Sequence, residues 1–111
     1  MMIVHFVFLK VRSDVTETQI EQMYADVKTL SSCPGVLKIE AGSQESMYEG
    51  YMDRSKGYTH GLVVYLDSRD ALKAYNDCDA HVVVKTMLGT LVDTALADPV
   101  LAVDWEIDSS L

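Results

Sequence analysis

The sequence predicts an α+β fold: a ferredoxin-like antiparallel sheet in the element order β-α-β-β-αα-β, with helices on one face and a second copy of the chain on the other, giving a dimeric α+β barrel. Three observations predict it. Four short segments rich in β-branched and aromatic residues are interleaved with segments of helical periodicity. The first and third of these strands are apolar on both faces, although helices can cover only one. The chain of 111 residues is also 49% apolar, with a positive mean hydropathy of +0.08. A lone domain of this size buries only about two thirds of its unfolded surface, so self-association supplies the missing interior.

The first strand is Ile3-Val4-His5-Phe6-Val7-Phe8-Leu9-Lys10. Its faces, Ile3/His5/Val7/Leu9 and Val4/Phe6/Phe8/Lys10, are both largely apolar. Thr16-Glu17-Thr18-Gln19 has the spacing of a capping box. Behind it Ile20, Met23, Tyr24, Val27 and Leu30 recur at helical intervals, until Pro34-Gly35 ends the helix. Val36 to Ala41 is the second strand, followed by a polar loop from Ser43 to Gly57 whose Met47, Tyr48, Tyr51 and Met52 could fold down as an apolar flap. Tyr58 to Leu66 is the third strand, with His60, Leu62, Val64 and Leu66 on one face and Gly61, Val63 and Tyr65 on the other.

Asp67-Ser68-Arg69-Asp70 caps a short helix carrying Ala71, Leu72 and Tyr75. Asn76-Asp77-Cys78-Asp79 interrupts it, with Asp79 as the cap of a second helix. That helix carries Val83, Met87, Leu91 and Ala95 on one stripe with Val84, Leu88 and Val92 beside it, and Asp98-Pro99 stops it. Val100 to Ile107 is the last strand, with Leu101, Val103, Trp105 and Ile107 inward and Ala102, Asp104, Glu106 and Asp108 outward. The whole is expected to be one domain over 1–111, with its core in about 3–107.

Charge excludes one large class of function. Nine basic against seventeen acidic residues leave a net charge of −8, whereas nucleic-acid binding needs a concentrated basic surface. The apolar run at residues 1–9 is too short to span a bilayer, so no membrane partner is expected. With no signal-peptide pattern, Cys33 and Cys78 are expected as reduced thiols in a cytoplasmic protein. The glycines never fall two apart, so there is no dinucleotide fingerprint; nor is there a Cys-x-x-Cys, a His-Glu-x-x-His or a Gly-x-Ser-x-Gly. No cofactor and no metal are expected, and Asp77-x-Asp79 reads as a helix cap.

The histidines carry the chemistry. His5 and His60 each lie within a strand among apolar neighbours, where an imidazole must be hydrogen-bonded. The first and third strands are adjacent in the expected topology, so the two rings are expected near each other. Tyr75 and His81 would point about 240° apart on one continuous helix. The break at Asn76 to Asp79 lets the chain turn between them. His81 then falls in the first turn of a helix, whose dipole disfavours imidazolium and favours the neutral form that a general base requires.

Val4-His5 with Lys10, Gly57-Tyr58-Thr59-His60, and Tyr75 with Ala80-His81 together resemble the stress-responsive A/B barrel family over nearly the whole chain. The resemblance implies a dimeric α+β barrel with a pocket in each subunit. In a plant polyketide cyclase of that family, the positions matching His81 and Tyr75 supply the base and its assistant in a cofactor-free aldol condensation. The resemblance carries that role over as the catalytic assignment for His81 and Tyr75. It implies His5 and His60 as pocket-lining residues and places Val27 where that cyclase has a tyrosine; Leu62 and Tyr24 are expected to complete the lining. Cys78-Asp79-Ala80-His81 departs from the common His-Pro-x-His of the family. The leading expectation is a homodimer that binds a small hydrophobic or aromatic molecule. The alternative is a cofactor-free enzyme, either a polyketide cyclase-like aldol catalyst or a relative of the dimeric-barrel monooxygenases.

Overall fold

The computed structural model describes residues 2–108. The elements follow in the order β1 (Met2–Leu9), α1 (Glu17–Lys28), a 3-10 turn (Thr29–Ser32), β2 (Val36–Ser43), β3 (His60–Leu66), α2 (Arg69–Asp77), α3 (Asp79–Gly89) and β4 (Val100–Ile107). The four strands form one sheet in the order β2-β3-β1-β4, every neighbour antiparallel. This is the ferredoxin-like α+β architecture. Among the described residues no helix is long and apolar enough to cross a membrane.

Local chemistry explains most boundaries. Thr16 caps α1 reciprocally: Gln19 N–H donates to Thr16 Oγ1 at 3.2 Å, and Thr16 N–H donates to Gln19 Oε1 at 2.8 Å. Met23 and Val27 on α1 and Leu30 beyond it are buried against Leu9, Leu62, Val64 and Leu66 of the sheet. Ser68 caps α2 by accepting from Ala71 N–H at 3.1 Å. Gly35 sits at φ +84°, and a Cβ there would lie 2.4 Å from Ala71 Cβ, so only glycine lets α2 approach this turn.

Four expectations are corrected. First, α3 ends at Gly89, not near Asp98. Glycine is a poor helix former, and the chain beyond it is drawn into a bridge between Val92 and Val11. Arg12 N–H donates to Leu91 O at 2.9 Å and Asp93 N–H to Lys10 O at 2.7 Å. Leu91 and Val92 are therefore buried, as their periodicity suggests, but outside the helix. Second, β2 runs on to Ser43, and β3 begins at His60, after Tyr58 and Thr59.

Third, β4 presents the opposite face. Its register sets Trp105 opposite Val4, Val103 opposite Phe6 and Leu101 opposite Phe8. These residues lie on the sheet face away from the helices, where the Trp105 and Phe6 rings stack at 4.6 Å and Trp105 is 49% exposed. Ala102 and Asp104 lie on the helix side, beside Val7 and His5. Alternation tells which residues share a face; the pairing with β1 tells which face is which.

Fourth, Cys33 and Cys78 are bonded to each other, with Cα atoms 5.9 Å apart. Their number and setting alone point to reduced thiols. The fold brings the end of the 3-10 turn against the α2–α3 corner, which puts the two residues within bonding geometry.

Candidate functional site

The sequence breaks the helical run at Cys78, whose backbone is extended (φ −65°, ψ 133°). Its N–H still closes the last turn of α2 by donating to Tyr75 O at 3.1 Å. The N-cap of α3 is therefore Cys78, with no side-chain cap, and Asp79 is the first residue of the helix, not its cap. His81 enters the first turn of α3 and meets Tyr75, with ring centroids 4.4 Å apart. The interruption thus brings together two residues that a continuous helix would separate.

His5, at the centre of the sheet, completes the group. Its ring meets the Tyr75 ring edge-on at 5.8 Å, and its Nδ1 is paired with the Asp104 carboxylate. A carboxylate only accepts, so His5 Nδ1 carries a proton and Asp104 fixes the ring. Alternation along β4 predicts an outward Asp104; the β1–β4 register instead places it opposite His5, and its role follows from that.

These rings form one wall of a cavity of about 430 Å³. Leu62, Leu30, Val84 and Leu88 supply apolar lining, and Asn76 and Lys85 add polar groups. Tyr75 is 2% exposed, and burial pushes its phenol up to about 12. Among the described residues its hydroxyl has no hydrogen-bonded protein partner.

His81 Nδ1 donates to Asn76 O at 3.3 Å, which leaves the lone pair on Nε2. Burial lowers the His81 pKa, and the Lys85 ammonium and His5 lower it further, outweighing the Asn76 carbonyl, which raises it. The helix terminus invoked from sequence is in place, but desolvation leads. His81 is therefore neutral at pH 7. Any activity that needs its free base is expected to hold as pH falls through the ordinary histidine midpoint of about 6.5 and to decline only below it. A pH–rate profile that already falls between 7 and 6.5 would contradict this. Because the folded state resists protonating His81, its contribution to stability is complete above about 6.5 and is lost as pH falls toward the folded pKa.

Three residues expected in this pocket, His60, Tyr24 and Val27, lie elsewhere. His60 sits opposite Leu9 and His5 opposite Val64, four residues apart along one face, or about 13 Å. His60 packs against Tyr24, with centroids at 6.4 Å, and pairs with Thr59 Oγ1 at 2.8 Å. It lines a second cavity, of about 530 Å³, with Phe8, Tyr58, Arg54, Lys56 and Leu101. Val27 is sealed in the core, 1% exposed. Leu62 does line the first cavity. In the loop after β2, Met47, Tyr48, Tyr51 and Met52 are exposed rather than folded down as a flap. Among the described residues no cluster of three or more histidine, cysteine or acidic side chains is arranged to hold a metal.

Residues 3–107 match the family described as Stress responsive A/B Barrel Domain. Among solved structures, hydroxynitrile lyase from Passiflora edulis is similar with a TM-score of 0.80 at 17% identity, over 99% of this chain and 96% of that one. A dimeric ferredoxin-like protein from Jannaschia sp. CCS1 has a TM-score of 0.78 at 24% identity, over 96% and 100% of the two chains. A Dabb family protein with a ferredoxin-like fold from Mesorhizobium loti has a TM-score of 0.70 at 23% identity, over 97% and 98%. At these identities the structural likeness speaks for fold alone. No curated protein matches this chain.

Proposed function

The chain belongs to the stress-responsive A/B barrel domain family, and we propose that it is a cytoplasmic homodimer that binds a small hydrophobic or aromatic molecule in a cavity of each protomer. One observation carries the reading: the rings of His5, Tyr75 and His81 are gathered on one wall of an otherwise mainly apolar cavity of about 430 Å³. A cavity of that kind grips an apolar body by burial and orients it through a few polar groups. The unpartnered Tyr75 hydroxyl and the His81 Nε2 suit a ligand with a carbonyl or hydroxyl at one end. Pairing of two copies is supported by the uncovered aromatic sheet face and by the dimeric relatives of the same fold.

The test is extraction. Protein purified from its cells, denatured and analysed by mass spectrometry is expected to release a stoichiometric small molecule. His81→Ala and Tyr75→Phe are each expected to weaken binding about tenfold, the weight of one hydrogen bond to a buried group, and so to lower its occupancy. Equal occupancy in both variants would move the ligand out of this cavity.

A second reading is cofactor-free catalysis, favoured by the neutral His81 with its free Nε2. On this reading His81 removes a proton flanked by two carbonyls, and Tyr75 donates to the developing enolate oxygen. The aldol chemistry of a polyketide cyclase is of this kind, and the Passiflora hydroxynitrile lyase shows that the fold hosts an enzyme. Deuterium exchange at the central carbon of a linear β-diketone, followed by NMR, reads the step directly. His81→Ala is expected to slow catalysed exchange by about 10²- to 10⁴-fold, and Tyr75→Phe by about 10²-fold. Exchange that survives both changes removes the base mechanism and leaves binding standing.

A further inference from the structure

The Cys33–Cys78 bond joins a rigid anchor to the corner that builds the cavity wall. Cys33 is 2% exposed and closes the 3-10 turn through its N–H to Leu30 O at 3.0 Å. It precedes the Pro34-Gly35 turn on which Ala71 packs. At the other end, Cys78 N–H donates to Tyr75 O and Cys78 O accepts from Val82 N–H, both at 3.1 Å. Two residues before Cys78, the Asn76 carbonyl holds His81 Nδ1. Asn76, Asp77 and Asp79 are all exposed. Beside the buried Tyr75 ring and the partly buried Ala80, the sulfur bridge is the covalent tie that fastens this corner to the body of the protein.

We propose that Cys33–Cys78 is a thiol-exchange site, by which dithiol reductants unlock the corner that holds Tyr75 and His81 together. The consequence for ligand binding rests on the cavity reading above; the unlocking itself does not. Two features favour exchange over a purely structural staple. Cys78 is partly exposed while Cys33 is sealed, so the Cys78 end is the one an attacking thiolate can approach. Cys78 is also the N-cap of the 11-residue α3, where the positive end of the helix stabilises a thiolate and with it the reduced form. In a reducing compartment a protein disulfide is characteristically transient or redox-sensing.

One thiolate of a dithiol attacks Cys78 Sγ and forms a mixed disulfide, while Cys33 leaves and takes up a proton. The second thiol of the reductant, as thiolate, then attacks its own bridging sulfur, closes the reductant's disulfide and releases Cys78 at the α3 N-terminus. Two electrons pass from the dithiol to the protein pair, and the two protons lost by the dithiol balance those taken up by the cysteines or by solvent.

The test needs no ligand. Histidine side-chain NMR titrations are run on the protein with and without excess dithiothreitol, alongside far-UV circular dichroism. In the oxidised protein His81 titrates below the ordinary histidine value. On reduction its midpoint is expected to rise toward the ordinary value of about 6.5 as the wall loosens, while that of His60 is unchanged. Cys33→Ala/Cys78→Ala is expected to match the reduced protein and to ignore dithiothreitol. An identical His81 midpoint in both redox states overturns the proposal. So does a bond that excess dithiothreitol leaves intact, and so does loss of the folded far-UV spectrum on reduction at 25 °C, which would make the bond a global staple. A protein that binds no small molecule would still show the His81 shift, so the two readings fail separately.

Discussion

Trp105→Glu is expected to convert the proposed homodimer into free protomers. Phe6, Phe8, Leu101, Val103 and Trp105 share the sheet face that the helices leave open, and Trp105 stacks on Phe6. Toward β2 the face turns polar: Lys38 pairs with Glu40 at 3.0 Å, and the Tyr65 hydroxyl donates to Glu40 at 3.4 Å. The apolar part is therefore centred on β1 and β4. In a twofold assembly one substitution enters the interface twice. Burying an unpartnered carboxylate costs about 2 kcal/mol or more each time, so the two together weaken the dimer by about 10³-fold or more. Sedimentation at micromolar concentration would then report 12.3 kDa for the variant and twice that for the parent. The helix-side core of Val64, Leu66 and Val27 is untouched, so far-UV circular dichroism should not change. A parent that sediments as a single chain would remove the dimer, and a variant that stays dimeric would put the interface elsewhere.

Breaking the Cys33–Cys78 bond is expected to lower stability by about 4 kcal/mol, because the bond closes a loop with a sequence separation of 45 residues and so constrains the unfolded chain strongly. For a domain of this size the corresponding fall in Tm is on the order of 15 °C. The segment closed includes β2, the long loop, β3 and α2, so reduction loosens the unfolded ensemble across nearly half the chain. Urea unfolding of Cys33→Ala/Cys78→Ala against the oxidised parent measures the difference. A loss below about 1 kcal/mol would mean that native-state strain offsets the loop-closure gain. The native fold is expected to persist at 25 °C after the bond is broken, since typical domains have about 5–15 kcal/mol in reserve.

Much of the candidate site is legible in the order of the residues. The capping pair at Thr16 and Gln19 announces α1, and Ser68 announces α2. The break before Asp79 announces that Tyr75 and His81 can meet, and they do. These signals are local: each depends on residues within a few positions of one another, where backbone geometry and side-chain reach leave few options. His60 escapes such reasoning because adjacency of strands says nothing about offset along them. Its register with Leu9 carries it four residues from His5 and into a different cavity. Asp104 escapes it for the same reason, since nothing near it in the chain indicates that it will sit opposite His5.

The amino-acid order by itself determined the succession of elements, the two-faced apolarity of β1 and β3, and the interruption that turns α2 into α3. Periodicity and capping act over a turn or two, so they are written in neighbouring residues. Only the tertiary structure decided which face of β4 looks toward the helices, that Asp104 holds His5, that His60 stands apart, and that Cys33 reaches Cys78. Each of these depends on the relative placement of segments tens of residues apart. Strand register and helix packing set that placement through the burial of the whole core.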